Sequence, residues 1–213
     1  MKIPLISRGL FALLLASGFA FAEDKPDPSL TPEERAEFRR LLNESMEMFT
    51  GLISGLSDEQ WNFKQNDQRW SVGECAEHIV RAEELLLQWA KDAIADGPKA
   101  DWAEKTKGKI EFLNKVMPNR NPGGAGGAQA PFEIRPSEHW DRATTIKKYF
   151  ALRGEVLAYF ETLDLPIKEY TKDHPFPVFN TLNAHQWLVY IPLHTIRHSR
   201  QIVEVKEDPN FPK

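Results

Sequence analysis

Apolar residues recurring at helical spacing, in long runs each opened by a capping signal, constrain this chain more than any other feature. In Thr31-Pro32-Glu33-Glu34 the threonine is an N-cap, the proline takes the first helical position and Glu34 completes a capping box. Behind it Phe38, Leu41, Leu42, Met46, Phe49, Leu52 and Ile53 keep one helical face to about Gly55. Ser57-Asp58-Glu59-Gln60 opens a short turn of helix. Ser71-Val72-Gly73-Glu74 is a second capping box, and its helix runs to about Ala95. A third long helix is expected from Asp141 to Thr162. A fourth runs from Asn183 to Lys206, closed by Asp208-Pro209.

Between these helices the signals are weaker. Residues 96–136 hold one helical piece near Lys107 to Val116. The loop Pro118 to Gly127 follows, within a stretch 118–130 that reads as a flexible connection or as a mobile lid over a site. It lacks the Gly-Lys-Ser/Thr ending of a phosphate-cradling loop. Pro175 and Pro177 keep Pro166 to Thr181 from being helical throughout. With no strand alternation and no internal repeat, the expected fold is all-α, a four-helix bundle in one domain over 23–213.

Residues 1–22 differ in kind. Lys2 and Arg8 precede the apolar run Leu10 to Ala16, and Ala20-Phe21-Ala22 has the form of a cleavage site, so a signal peptide cut before Glu23 is expected. The apolar run is shorter than a spanning helix needs, so no membrane insertion is expected after cleavage. Without a cysteine near the cut, no lipid anchor is expected either. The expected location is periplasmic or secreted. Cys75 is the only cysteine, so an intramolecular disulfide is excluded and the core alone must hold the fold. The net charge of −4 gives no electrostatic footprint for nucleic acid, and losing Lys2 and Arg8 makes the mature chain more acidic still.

The chemistry lies with the histidines. On the last helix Trp187, Ile191, His194, His198, Ile202 and Val205 share a sector of about 80°. His194 and His198 sit in its middle, one turn apart, where two imidazoles can reach one metal. His185 points to nearly the opposite side and is expected to be solvated or to serve the helix start. On the second long helix Cys75, His78, Ala82, Leu85, Trp89 and Ala93 form the core-facing stripe, so His78 also points inward. Three buried imidazoles need partners, because each ring carries a donor and an acceptor that water no longer satisfies. Two readings stand from the residues alone: hydrogen-bonded core histidines, or ligands of one divalent ion. Three neutral nitrogens suit zinc, nickel or iron and leave a position open for water or a substrate heteroatom. A zincin motif is excluded because Thr195 follows His194. A di-iron carboxylate site is excluded because the triplet before His78 begins with Cys75.

Three neighbours carry secondary expectations. Glu74, four residues before His78, is the candidate catalytic group for orienting a ligand or handling a proton, beside its capping task. Cys75 reads as a buried thiol, with approach to the metal as the alternative. Arg197, at the stripe's margin, either faces the mouth of the site and binds an anion or pairs with a surface carboxylate.

Trp70-Ser71-Val72-Gly73-Glu74-Cys75-Ala76-Glu77-His78-Ile79 resembles the W-S-x-x-E-x-x-x-H-[IL] segment of the DinB-like superfamily, and His194-Thr195-Ile196-Arg197-His198-Ser199-Arg200-Gln201-Ile202 resembles its H-x-x-R-H-x-x-Q-I segment. The likeness covers roughly Leu30 to Pro212. It implies an up-down-down-up bundle with one divalent metal on His78, His194 and His198, and either a hydrolase or a thiol-dependent transferase activity. An exported member would not meet the cytosolic thiol pool, which speaks against the transferase. The expectation is therefore an exported metal-dependent enzyme with a small-molecule substrate. The alternatives are a non-catalytic metal- or ligand-binding bundle, and dimerisation into a homodimer through an exposed helix face.

Overall fold

The capping residues named above open the helices they announce. The computed structural model describes residues 26–120 and 132–213. The leader expected over 1–22 and most of the loop expected over 118–130 lie outside the described residues. Thr31 caps α1 (Pro32–Ile53) and Ser57 caps α2 (Asp58–Asn62), each in a reciprocal capping box. Ser71 with Glu74 caps α3 (Val72–Ala95) in the same way. Two short helices follow, α4 (Trp102–Thr106) and α5 (Lys109–Val116). Asp141 caps α6 (Arg142–Thr162), and Asn183 with Gln186 caps α7 (Ala184–Lys206).

Side-chain contacts fix the direction of each long helix. Phe38 near the start of α1 meets Phe160 near the end of α6 at 4.2 Å between centroids, and Phe49 meets Tyr149 at 4.6 Å, so these helices are antiparallel. In α3 and α7, His78 meets His198 while Trp89 meets Trp187, again antiparallel. Lys206 donates to Leu52 O at 2.8 Å, which puts the ends of α1 and α7 together. The order is therefore up-down-down-up, as the resemblance implied. The parallel neighbours α3 and α6 are the pair joined by the long connection, which a return over the bundle requires.

Apolar residues fill the bundle at both ends. Phe38, Leu87, Phe160, Trp187 and Leu188 pack at one end, and Phe49, Ile53, Ile79, Tyr149 and Ile202 at the other. Gly73 is required at the start of α3: a Cβ there would lie 2.4 Å from the Trp61 indole nitrogen. That indole N–H donates to Trp140 O at 3.2 Å and ties α2 to the entry of α6. Among the described residues no helix is long and apolar enough to cross a membrane.

Three features differ from the sequence reading. A two-stranded hairpin, β1 (Thr171–Asp173) and β2 (Thr181–Asn183), pairs antiparallel where no strand was expected; three residues are too few to display an alternation. Helix α4 carries no capping bond from Asp101 and was not foreseen. In α7 every side chain from Ala184 to Thr195 is buried, not one stripe, because α5 and β2 pack on it besides α1 and α3, and Gln186 at its start donates to Thr106 O of α4. His185 is accordingly buried rather than solvated, although it does stand at the helix start. Its burial lowers its pKa to about 4, opposed by the nearby Glu34 carboxylate.

Candidate metal centre

His78 stands in the second turn of α3, and His194 and His198 flank the middle of α7 one turn apart. The antiparallel packing of these helices brings all three imidazoles together. One ring nitrogen from each lies within 4.8 Å of the others. His78 Nε2 and His198 Nε2 are 3.2 Å apart.

The outer ring nitrogens decide which inner ones carry lone pairs. His78 Nδ1 donates to Ile134 O at 2.8 Å; a carbonyl can only accept, so the proton is on Nδ1. His198 Nδ1 donates to Gln201 Oε1 at 2.8 Å, and the same oxygen accepts from Arg120 Nη1 at 3.1 Å, which sets the orientation of the amide. In the neutral rings both Nε2 atoms are therefore acceptors, and they face each other with no proton between them. Protonation is a poor remedy in this position. Burial pushes His78 down to about 4, and burial with the charge of His78 holds His194 and His198 well below the ordinary range. The buried Nδ1 of His194 has no hydrogen-bond partner among the described residues. Two nitrogens bound to one zinc ion at ~2.0–2.1 Å in tetrahedral geometry lie about 3.3 Å apart, so the observed separation is that of co-ligands. The residues present fit a divalent ion.

The support around the trio was only partly visible in the sequence. Glu77, fully buried, accepts from Ser137 N at 2.8 Å and Glu138 N at 3.0 Å, and pairs with Arg81 Nε at 3.1 Å. Arg81 in turn donates to Glu133 O and Arg135 O. Segment 133–138 is thus held on α3 with the Ile134 carbonyl aimed at His78. Gln201, one turn beyond His198, could have been found from its spacing. Ile134 could not, since a backbone carbonyl leaves no mark in a sequence. Trp70, half-buried, packs 4.8 Å from the His78 ring and 6.3 Å from the His198 ring between centroids.

The other expected residues lie nearby in different roles. Both Glu74 oxygens are engaged, one by Ser71 N at 2.8 Å and one by Lys64 at 3.0 Å. Cys75 is fully buried among Phe49, Ile53 and Ile79, outside the trio, and burial raises its thiol pKa. Among the described residues Arg197 makes no ion pair with a carboxylate; its Nη1 donates to the backbone oxygens of Asn119 and Met117. His185 remains outside the cluster, as expected.

An up-down-down-up bundle whose central helix pair converges three histidines defines a class of helical proteins fit to hold one metal ion. The chain belongs to the DinB superfamily, whose family model matches residues 41–202. It is also 26% identical over 155 residues to the "Uncharacterized protein YuaE" of Bacillus subtilis (strain 168), covering 73% of this chain and 88% of the relative. No solved structure matches the chain.

Proposed function

We propose that this chain is an exported metal-dependent enzyme, a hydrolase or a group or thiol transferase, using one divalent ion on His78, His194 and His198. The observation that carries the reading is the pair of facing Nε2 lone pairs at 3.2 Å, which no donor among the described residues meets. Zinc, nickel or iron bound there would supply Lewis acidity, lowering the pKa of water or a thiol in the open position toward neutrality. The chain's own groups hold the geometry: Ile134 O and Gln201 lock two imidazole tautomers, and Trp70 shields the ligand face from bulk water. A proton-handling role for Glu74 needs its carboxylate to release Lys64 or Ser71 N. That requirement favours, as the second reading, a bundle that binds a metal or a ligand without turnover.

Cobalt(II) substitution separates the two readings. For an enzyme with an open position, the visible spectrum of the cobalt form shifts on adding azide, and the shift saturates. A spectrum indifferent to azide means a closed site, and the non-catalytic reading then stands.

A further inference from the structure

Positive charge is in excess where α7 passes the imidazole trio. Glu204 is shared by Arg69 at 3.0 Å and Arg120 at 2.8 Å, so one carboxylate serves two guanidiniums. At this end of α3 Glu74 is taken by Lys64 and Glu77 by Arg81, so neither carboxylate is left over for a further cation. Arg197 has no carboxylate partner among the described residues. Its Nη1 is bound to the carbonyls of Asn119 and Met117, while Nε and Nη2 have no hydrogen-bond partner among the described residues. Residues 121–131, which continue from this point, contain no charged side chain that could compensate it.

Arg197 stands three residues after His194 and one before His198, on the side of α7 covered by segment 117–120. Arg120, at the end of that segment, is two hydrogen bonds from His198 through Gln201. The charges of Arg120 and Arg197 act on each other, and each acts on the trio. Three neutral imidazoles also leave the double charge of a bound cation uncompensated. Glu204, already shared by Arg69 and Arg120, is the carboxylate that acts on Arg197 from a distance, so an anion bound at the free edge of Arg197 meets a net positive charge.

We propose that the ligand of this centre is a small organic anion, a carboxylate or phosphate ester, whose charged end is held by the free edge of the Arg197 guanidinium beside His194 and His198. This rests on the metal-centre reading above. A guanidinium presents two parallel N–H groups that match a carboxylate or phosphate, which an ammonium cannot do. Trp70 and Tyr190, the latter 6.1 Å from the His194 ring, supply an apolar flank for the body of the molecule.

The test uses the mature chain after zinc loading, with stoichiometry checked by elemental analysis, and titrates it calorimetrically with benzoate, inorganic phosphate and the neutral benzamide. Benzoate or phosphate is expected to bind saturably, and whichever binds more tightly identifies the anion class. Benzamide should be at least about tenfold weaker than benzoate. Arg197→Gln should weaken the anion at least about tenfold with zinc content unchanged. Arg200→Gln is the control: Arg200 holds Pro118 O on the same segment at 2.6 Å, so it reports loosening of that segment alone and should leave anion affinity intact. Equal losses in the two variants, equal binding of benzoate and benzamide, or no anion binding by the parent would overturn the proposal. Failure to take up zinc would count against the metal reading alone, and the same titrations on the metal-free chain would still decide the anion claim.

Discussion

His194 and Thr195 are neighbours on α7, yet they open onto two different buried polar clusters. Thr195 joins Glu83, Arg153 and Ser45, all buried. Arg153 Nη2 meets Glu83 Oε1 at 2.5 Å, its Nη1 reaches Ser45 Oγ and Leu42 O at 3.0 Å, and Thr195 Oγ1 donates to Glu83. This cluster links α1, α3, α6 and α7 and carries its own countercharge. Burial raises the Glu83 pKa, and the Arg153 guanidinium opposes that rise. Among the described residues the trio at His194 has neither a carboxylate in its cluster nor a donor for its facing nitrogens. Burial of polar groups is common to both. Whether the lone pairs are met inside the protein is what separates a fold lock from a ligand site.

Breaking the lock should give the largest effect. Arg153→Leu leaves Glu83 buried without its cation, so a loss of about 3–5 kcal/mol in unfolding free energy is expected, read from urea denaturation followed by circular dichroism. Replacing Glu83 and Arg153 together by leucine should cost less than Arg153→Leu alone, because no uncompensated charge remains. Additive losses would show that the pair acts through packing and not charge.

The trio should respond in the opposite manner, through its ligand. With zinc at a thousandfold excess over Kd the parent should gain about 4 kcal/mol, and the double substitution His194→Ala/His198→Ala should gain nothing. Without metal the same double substitution should cost only the usual core penalty, roughly 1–3 kcal/mol. Gln201→Leu or Glu77→Ala should leave the helix content unchanged but weaken zinc binding about 10–100-fold, since each removes a group that orients a ligand.

Acid titration gives the smallest effect and a third environment for comparison. His174 is buried against Trp187, Tyr190 and Phe179, with its Nδ1 accepting from Phe176 N at 2.9 Å. Burial lowers it from 6.5 to about 4. The unfolded chain therefore takes the proton first as pH falls. The stability this histidine contributes is present in full above about 6.5 and is lost as pH drops toward about 4. His174→Phe should flatten that part of the pH profile in the metal-free chain and leave zinc affinity untouched. A change in zinc affinity would mean the two histidine regions communicate.

The long helices were legible because caps and apolar periodicity are local signals. Thr31, Ser71 and Asn183 each sit at the cap their sequence announces. The inward direction of His78, His194 and His198 followed from angular arithmetic alone. What escaped was tertiary. The sequence analysis assigned no role to Glu77, Glu83 and Arg153, whose burial depends on partners from other segments. His185 read as solvated or as serving the helix start because nothing in α7 shows that the segments carrying Glu34 and Lys168 will come up against it. The hairpin was too short for any pattern, and the Ile134 carbonyl has no side chain to betray it. At Glu74 the sequence allowed a capping role and a catalytic one, and the capping bonds are the ones formed.

The account stands on the claim that the three imidazoles meet on one ion. Elemental analysis of residues 23–213, purified without a histidine tag beside the His194→Ala/His198→Ala variant, tests it directly. The account predicts about one equivalent of zinc, nickel or iron in the parent and none in the variant. A parent that takes up no metal under any loading condition, or a variant that keeps its equivalent, would contradict it.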